Sequence, residues 1–156
     1  MLRRTLLISA LAAAATPALA QTPPSTLQPI EPRSALERAF LAAYRSEAMR
    51  PAFREEFLES SVLLVTASSA RDAPPRLTPV PGGQTAMIFT TAALLERRLG
   101  PATPRVAMNG RAALMRVREN HVVINVGYEP MLVLDSEGIS GFLGIPPSPN
   151  AAGPAQ

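Results

Sequence analysis

The sequence predicts an α+β fold: a single small domain in which a mixed β-sheet is covered by helices. Three observations carry this. Apolar runs of strand length alternate with segments that keep helical spacing. Two strand pairs are joined by short, turn-rich connections, the mark of hairpins. Cysteine is absent from the 156 residues, so core packing alone must hold so small a domain together. The expected order is α-α-β-β-β-α-β-α-β-β-α.

The first helix starts at Ser34. Ser34 and Glu37 make a capping-box pair, a hydroxyl and a carboxylate each satisfying a free backbone N–H. Leu36, Phe40, Ala43 and Tyr44 follow at helical spacing as the buried stripe. A second helix begins near Pro51, which suits a first turn. Glu55 and Glu56 come close to its positive end, and Phe53 and Phe57 lie one turn apart on its inner face. Residues 62–66 (Val-Leu-Leu-Val-Thr) read as a central strand buried on both faces.

Residues 76–80 are an edge strand, since Pro79 cannot donate to a central ladder. Pro81-Gly82-Gly83 turns the chain into a strand at 85–90. Thr90 or Thr91 caps the next helix, which Gly100 and Pro101 end. A short strand at 105–108 leads to Asn109, read as the cap of a helix over 111–118 in preference to a hairpin turn with Gly110. A strand at 122–126, a turn at 127–130 and a strand at 131–134 follow. Asp135 caps a last short helix, closed by Gly144.

The ends of the chain read differently. Residues 1–20 have the three parts of a secretory signal: Arg3 and Arg4, an apolar run over 6–15, and an Ala18-Leu19-Ala20 site that places cleavage between Ala20 and Gln21. That run is too short for a helix to cross a bilayer core of about 30 Å. Whether the route is general secretion or twin-arginine export stays open. Residues 21–33, with four prolines, are expected to form an extended linker lacking the apolar surface to pack. Residues 145–156 are expected to be a disordered Pro/Ala tail, which leaves 34–144 as the domain. Cleavage leaves 13 arginines against 12 acids, so the formal charge of +3 falls to +1 and bulk attraction to nucleic acid is not expected.

Several pieces of the domain carry a resemblance. A helix ending in Phe57-Leu58 runs into the apolar strand from Val62 to Val65. Met87-Ile88-Phe89-Thr90-Thr91 precedes a leucine-rich helix, and Val106 to Gly110 precedes a helix with a central Leu114. Val123-Ile124-Asn125-Val126-Gly127 leads to Leu132-Val133-Leu134 and a closing helix. Together they resemble the N-terminal domain of the SseB (enhanced serine sensitivity) protein family, over roughly residues 52–143. Val126 stands where that family usually has proline, and its typical members lack a signal segment. The family has no well-defined catalytic activity, so the resemblance implies a fold rather than a reaction.

The chemistry-bearing residues exclude more than they suggest. All 15 basic residues are arginine, so no lysine is available for a Schiff base or a phosphate loop. His121 is the single histidine, with no serine in a nucleophile elbow, and reads as a turn residue. Asp135-Ser136-Glu137-Gly138 shares only its first positions with a calcium loop and reads as a helix cap. From Glu96 to Glu119, six arginines stand against two glutamates, with Arg111 and Arg118 on one helical face. A solvated arginine face explains this, and an anion site on Arg111 and Arg118 is the sharper alternative. Asn125 and Tyr128 mark the most family-like loop, as a turn or as a ligand contact.

The expected function is an exported, non-enzymatic protein-interaction or accessory module, periplasmic or secreted. It has no cofactor, no metal, no nucleic-acid partner and no transmembrane segment in the mature chain, and its partner is an unidentified protein of that compartment. The alternatives are a small-molecule or anionic-ligand sensor built on Arg111, Arg118, Asn125 and Tyr128, and an enzyme using arginine with Glu96 and Glu119.

Overall fold

The computed structural model describes residues 27–147. The expected signal segment, its Ala20–Gln21 site and residues 148–156 lie outside the described residues. A two-residue strand β1 (Gln28–Pro29) comes first, then α1 (Ala35–Arg45), a 3-10 turn (Glu47–Met49) and α2 (Arg50–Glu59). Next are β2 (Ser61–Val65), β3 (Thr78–Val80), β4 (Gly83–Phe89) and α3 (Ala92–Leu99). The chain continues through β5 (Arg105–Asn109), α4 (Gly110–Val117) and β6 (His121–Ile124). It closes with β7 (Tyr128–Glu129), β8 (Leu132–Leu134) and α5 (Ser136–Leu143).

Strands β5-β2-β4-β6-β8 form one mixed sheet in that order, with β3 hairpinned onto β4. Every pairing in it is antiparallel except β4 with β6. That pair is parallel because α3, β5 and α4 all intervene, which gives the chain the length for a crossover. The pleat sorts the side chains. Val62, Leu64, Ala86, Ile88, Val122 and Ile124 point to one face, where α1, α2, α4 and α5 pack as the main core. Val65 and Phe89 point to the other, where Ile30, Leu94, Leu95 and Tyr128 form a second cluster.

Local signals place the helices. Ser34, Thr91, Asn109 and Asp135 each accept a backbone N–H as N-cap. Gly100 and Gly144 end α3 and α5 at positive φ, +97° and +70°. Gly110 is required by packing: a Cβ there would lie 2.1 Å from the Phe57 carbonyl oxygen, so α2 and α4 meet backbone to side.

Some expectations are corrected. Part of the expected linker is packed: β1 runs parallel to β7 and Ile30 is buried at 6% exposure. Isoleucine has the apolar area that the surrounding prolines lack. At the other end Ile145 packs on the main core, so the fold passes Gly144. The first turn of α2 holds no acid, because the helix starts at Arg50 and leaves Glu55 and Glu56 a turn further in. The last long strand stops at Ile124, since Asn125 takes φ +57°. The capping box is shifted by one residue, with the Arg33 N–H donating to Glu37 Oε2 at 2.7 Å. Tyr44, expected in the buried stripe, is exposed, and Glu37 is buried instead.

Candidate functional site

A groove of about 940 Å³ opens on the helical side of the domain, between α1, α2, β8 and α5. Its aromatic wall follows from helical spacing. Phe40 of α1 stacks on Phe53 of α2, with ring centroids 4.5 Å apart and planes 8° from parallel. Phe142 of α5 meets Phe53 and Phe57 edge-on at 6.1 and 5.7 Å. Leu132 and Leu134 of the edge strand β8 line the groove between the helices. The wall is therefore built of core side chains whose other contacts hold them in place.

The rim is mixed. Tyr44 is 57% exposed and Met131 38%, two large side chains with apolar surface in water at one opening, and Arg50, Arg54 and Glu55 add charge beside them. The Tyr44 hydroxyl donates to Glu129 Oε1. This hydrogen bond, and then the negative charge of Glu129 and the small desolvation of the ring, hold the Tyr44 phenol above its usual pKa. Arg50 makes an exposed ion pair with Glu47 at 2.8 Å. Arg54 Nε donates to the Phe142 carbonyl at 2.5 Å, where a cation favours the C-terminal end of α5. Among the described residues no three His, Asp or Glu side chains gather to hold a metal ion. The groove has the means to exclude water from an apolar ligand and to orient it by a few rim contacts.

Asn125 and Tyr128 share one turn, in which the Tyr128 N–H donates to the Asn125 carbonyl at 3.1 Å, while Arg111 and Arg118 sit on and just after α4. Asn125 is fully buried. Its Oδ1 accepts the Thr90 N–H at 3.0 Å and its Nδ2 donates to Thr90 Oγ1 at 3.0 Å. Tyr128 is 1% exposed and donates its hydroxyl to the Leu94 carbonyl at 3.0 Å. A pocket at these two residues is thus replaced by satisfied core contacts, since the β1–β7 pairing closes the loop over them. Arg111 is exposed on α4, whereas Arg118 is half-buried at its C-terminal end. The Arg118 Nε is buried without a hydrogen-bond partner among the described residues.

The rest of the arginine run is spread over α3, β5 and α4. Arg105 pairs with Glu96 at 2.5 Å, and Arg116 donates to the Arg71 carbonyl at 3.1 Å. Glu96 is therefore already engaged within the fold. His121 opens β6 with its ring against Gly83.

The family model for the SseB protein N-terminal domain matches residues 36–141, well over half of the chain. The chain belongs to the SseB family. No curated protein and no solved structure matches it. The matched range takes in the sheet and all but the outermost residues of the five α-helices among the described residues, while β1 and Ile145 lie beyond its limits.

The SseB groove was not singled out in the sequence. Phe40, Phe53 and Phe57 read as core, as they are, and nothing local shows that α1, α2 and α5 stop short of closing over β8. The one available signal was Tyr44, a large residue placed next to Ala43 at the end of the α1 stripe.

Proposed function

We propose that this SseB domain is an exported, non-enzymatic accessory module that holds an apolar segment of a protein partner in the groove between α1, α2, β8 and α5. The observation that carries the reading is the open groove itself. It has a rigid aromatic wall, and Tyr44 and Met131 stand exposed beside it. Apolar side chains left in water at the edge of a preformed concavity are a usual mark of an interaction site. Export is supported by the composition of residues 1–20. In the host cell the purified protein should then begin at Gln21, and Ala20→Arg should leave the longer precursor.

A photo-reactive amino acid at position 131 tests the groove, with position 111 on α4 as the control. In the export compartment, position 131 should cross-link one defined protein and position 111 should not. Tyr44→Ala should remove that product. Equal labelling from both positions would sink the reading. The groove volume also lies within the range of about 300–1,000 Å³ usual for small-molecule sites. A sensor role therefore remains the second reading, tested by a metabolite screen in which a native-state ligand raises the melting temperature.

A further inference from the structure

Strand β8 has the residue pattern of a central strand but the place of an edge strand. Met131-Leu132-Val133-Leu134 is apolar on both faces. Leu132 and Leu134 turn to the main core and the groove, while Val133 turns to the other face and is exposed. Yet β8 is the last strand of its sheet, paired with β6 alone. Sheet edges are commonly guarded by proline, charge or polar residues. β3 carries Pro79, and β5, at the opposite edge, shows Ala107 and Asn109 to solvent. From Met131 to Leu134 no such guard is present.

The free edge of β8 follows group by group from the ladder. The Asn125 N–H donates to the Ile88 carbonyl of β4 at 2.9 Å. Across the same planar peptide, the Ile124 carbonyl therefore points the other way, toward β8. Ile124 pairs with Leu132 and Val122 with Leu134, so these are the directly bonded pairs of the antiparallel ladder. The peptides between and beside them turn outward the Met131 carbonyl, the Val133 N–H and carbonyl, and the Asp135 N–H. None of these four groups has a hydrogen-bond partner among the described residues.

We infer that the partner's apolar segment binds as an extended strand that adds to β8, with alternate side chains entering the groove. The inference rests on the groove being the binding site proposed above and fixes the conformation of what it holds. A row of outward N–H and C=O dipoles is complemented by another extended backbone, whereas a helix has already spent its own. Matching the four groups takes a segment of about five residues. Every second side chain then lies over Leu132 and Leu134 against the Phe142 wall, and the others flank Val133. Glu55 apart, the charges beside the opening are engaged within the fold: Arg50 with Glu47, Arg54 with the Phe142 carbonyl and Glu129 with Tyr44. The inward side chains of the segment are accordingly apolar. A second copy fits less well, because symmetric β8–β8 pairing would join two grooves into one wider opening and leave both aromatic walls in water.

Val133→Pro tests the added strand. It removes an N–H that faces away from β6, and proline is accepted at such edge positions. Val133→Thr keeps the N–H and the preference for a strand. The position-131 cross-link should fall about ten-fold in Val133→Pro and stay within about two-fold in Val133→Thr. The NMR signal of Ala113 on α4 should report an intact fold in both. A second measurement needs no variant at residue 133. In the purified cross-linked product, the Val133 and Asp135 amides should exchange with solvent more slowly than in the free chain. The Leu132 and Leu134 amides, already bonded to β6, should be unchanged.

Equal cross-linking by the proline and threonine variants, or unaltered exchange at Val133 and Asp135, would overturn the added strand and leave the groove reading standing. An equal loss in both variants would also overturn it, since the side chain and not the backbone would then be recognised. A product of twice the chain's mass would overturn it by seating a second copy at β8. Equal labelling from positions 131 and 111 would remove the groove reading and the added strand together.

Discussion

Glu37 and Tyr44 lie seven residues apart on α1, two turns along one stripe, yet their fates are opposite. Glu37 is 2% exposed and Tyr44 is 57% exposed. Residue type alone predicts the reverse. What stands opposite decides it. At one end, the Thr90 and Thr91 hydroxyls donate to Glu37 Oε1 at 3.3 and 3.1 Å, and the Arg33 N–H donates to Oε2. A carboxylate with several donors tolerates burial. At the other end the stripe runs out over the groove, and Tyr44 keeps its hydroxyl on Glu129 with its ring in water. One helix thus serves a satisfied polar clasp and an open apolar site. The lesson is that the partners an opposing element supplies, and not residue type, set burial along this helix.

Substitutions should separate the two ends. Asn125→Ala should have the largest effect, a loss of about 3 kcal/mol in urea unfolding. It leaves the buried Thr90 N–H unpaired and puts a Cβ-bearing residue without a polar side chain at φ +57°. Asn125→Gly should recover the backbone part of that loss only. Glu37→Leu should follow, at about 2 kcal/mol, because three donors lose their acceptor. Glu37→Gln, which keeps one acceptor oxygen, should cost less.

At the groove end the pattern should invert. Tyr44→Ala and Met131→Ala should each stay within about 0.5 kcal/mol of the native stability, as exposed positions do. Tyr44→Ala should nevertheless lower the yield of the position-131 cross-link. A Tyr44→Ala variant as unstable as Asn125→Ala would erase the contrast.

The smallest effect concerns pH. The Tyr44 phenol is raised by its bond to Glu129, so the folded state holds this proton more tightly than the unfolded chain. The slight stabilisation is present below the usual phenol pKa and is lost as pH rises through the raised value. Following the Tyr44 ring signal by NMR, Glu129→Gln should move its ionisation to lower pH. An unchanged titration would show that Glu129 does not hold the hydroxyl in solution.

Much of the fold was legible because its signals are local. Ser34, Asn109 and Asp135 announce their helices through a short side chain placed before an apolar pattern. Pro79 kept β3 off the centre of the sheet, and Gly100 with Pro101 stopped α3. The site was not legible. Asn125 and Tyr128 read as a turn or as a ligand contact, and the turn is there, with the Tyr128 N–H on the Asn125 carbonyl at 3.1 Å. What no local pattern recorded is that β1 pairs with β7 and that Tyr128 finds the Leu94 carbonyl, both across long sequence distances. Ile30 looked stranded among prolines, since one isoleucine gives no periodicity. The groove is a gap between four elements, and no single segment records a gap.

The sequence by itself determined the order of the five helices and the main strands, the caps that start most of the helices, and that this SseB chain offers no thiol or lysine chemistry. Those properties follow from each residue's own backbone preferences and side-chain polarity. Only the tertiary structure decided that Glu37 lies inside and Tyr44 outside, that Asn125 is a buried clasp, and that Phe40, Phe53 and Phe142 face an opening. Burial depends on what the opposing element supplies. Hydrogen-bond partners 53 and 35 residues away decide whether a polar group is at home in the core.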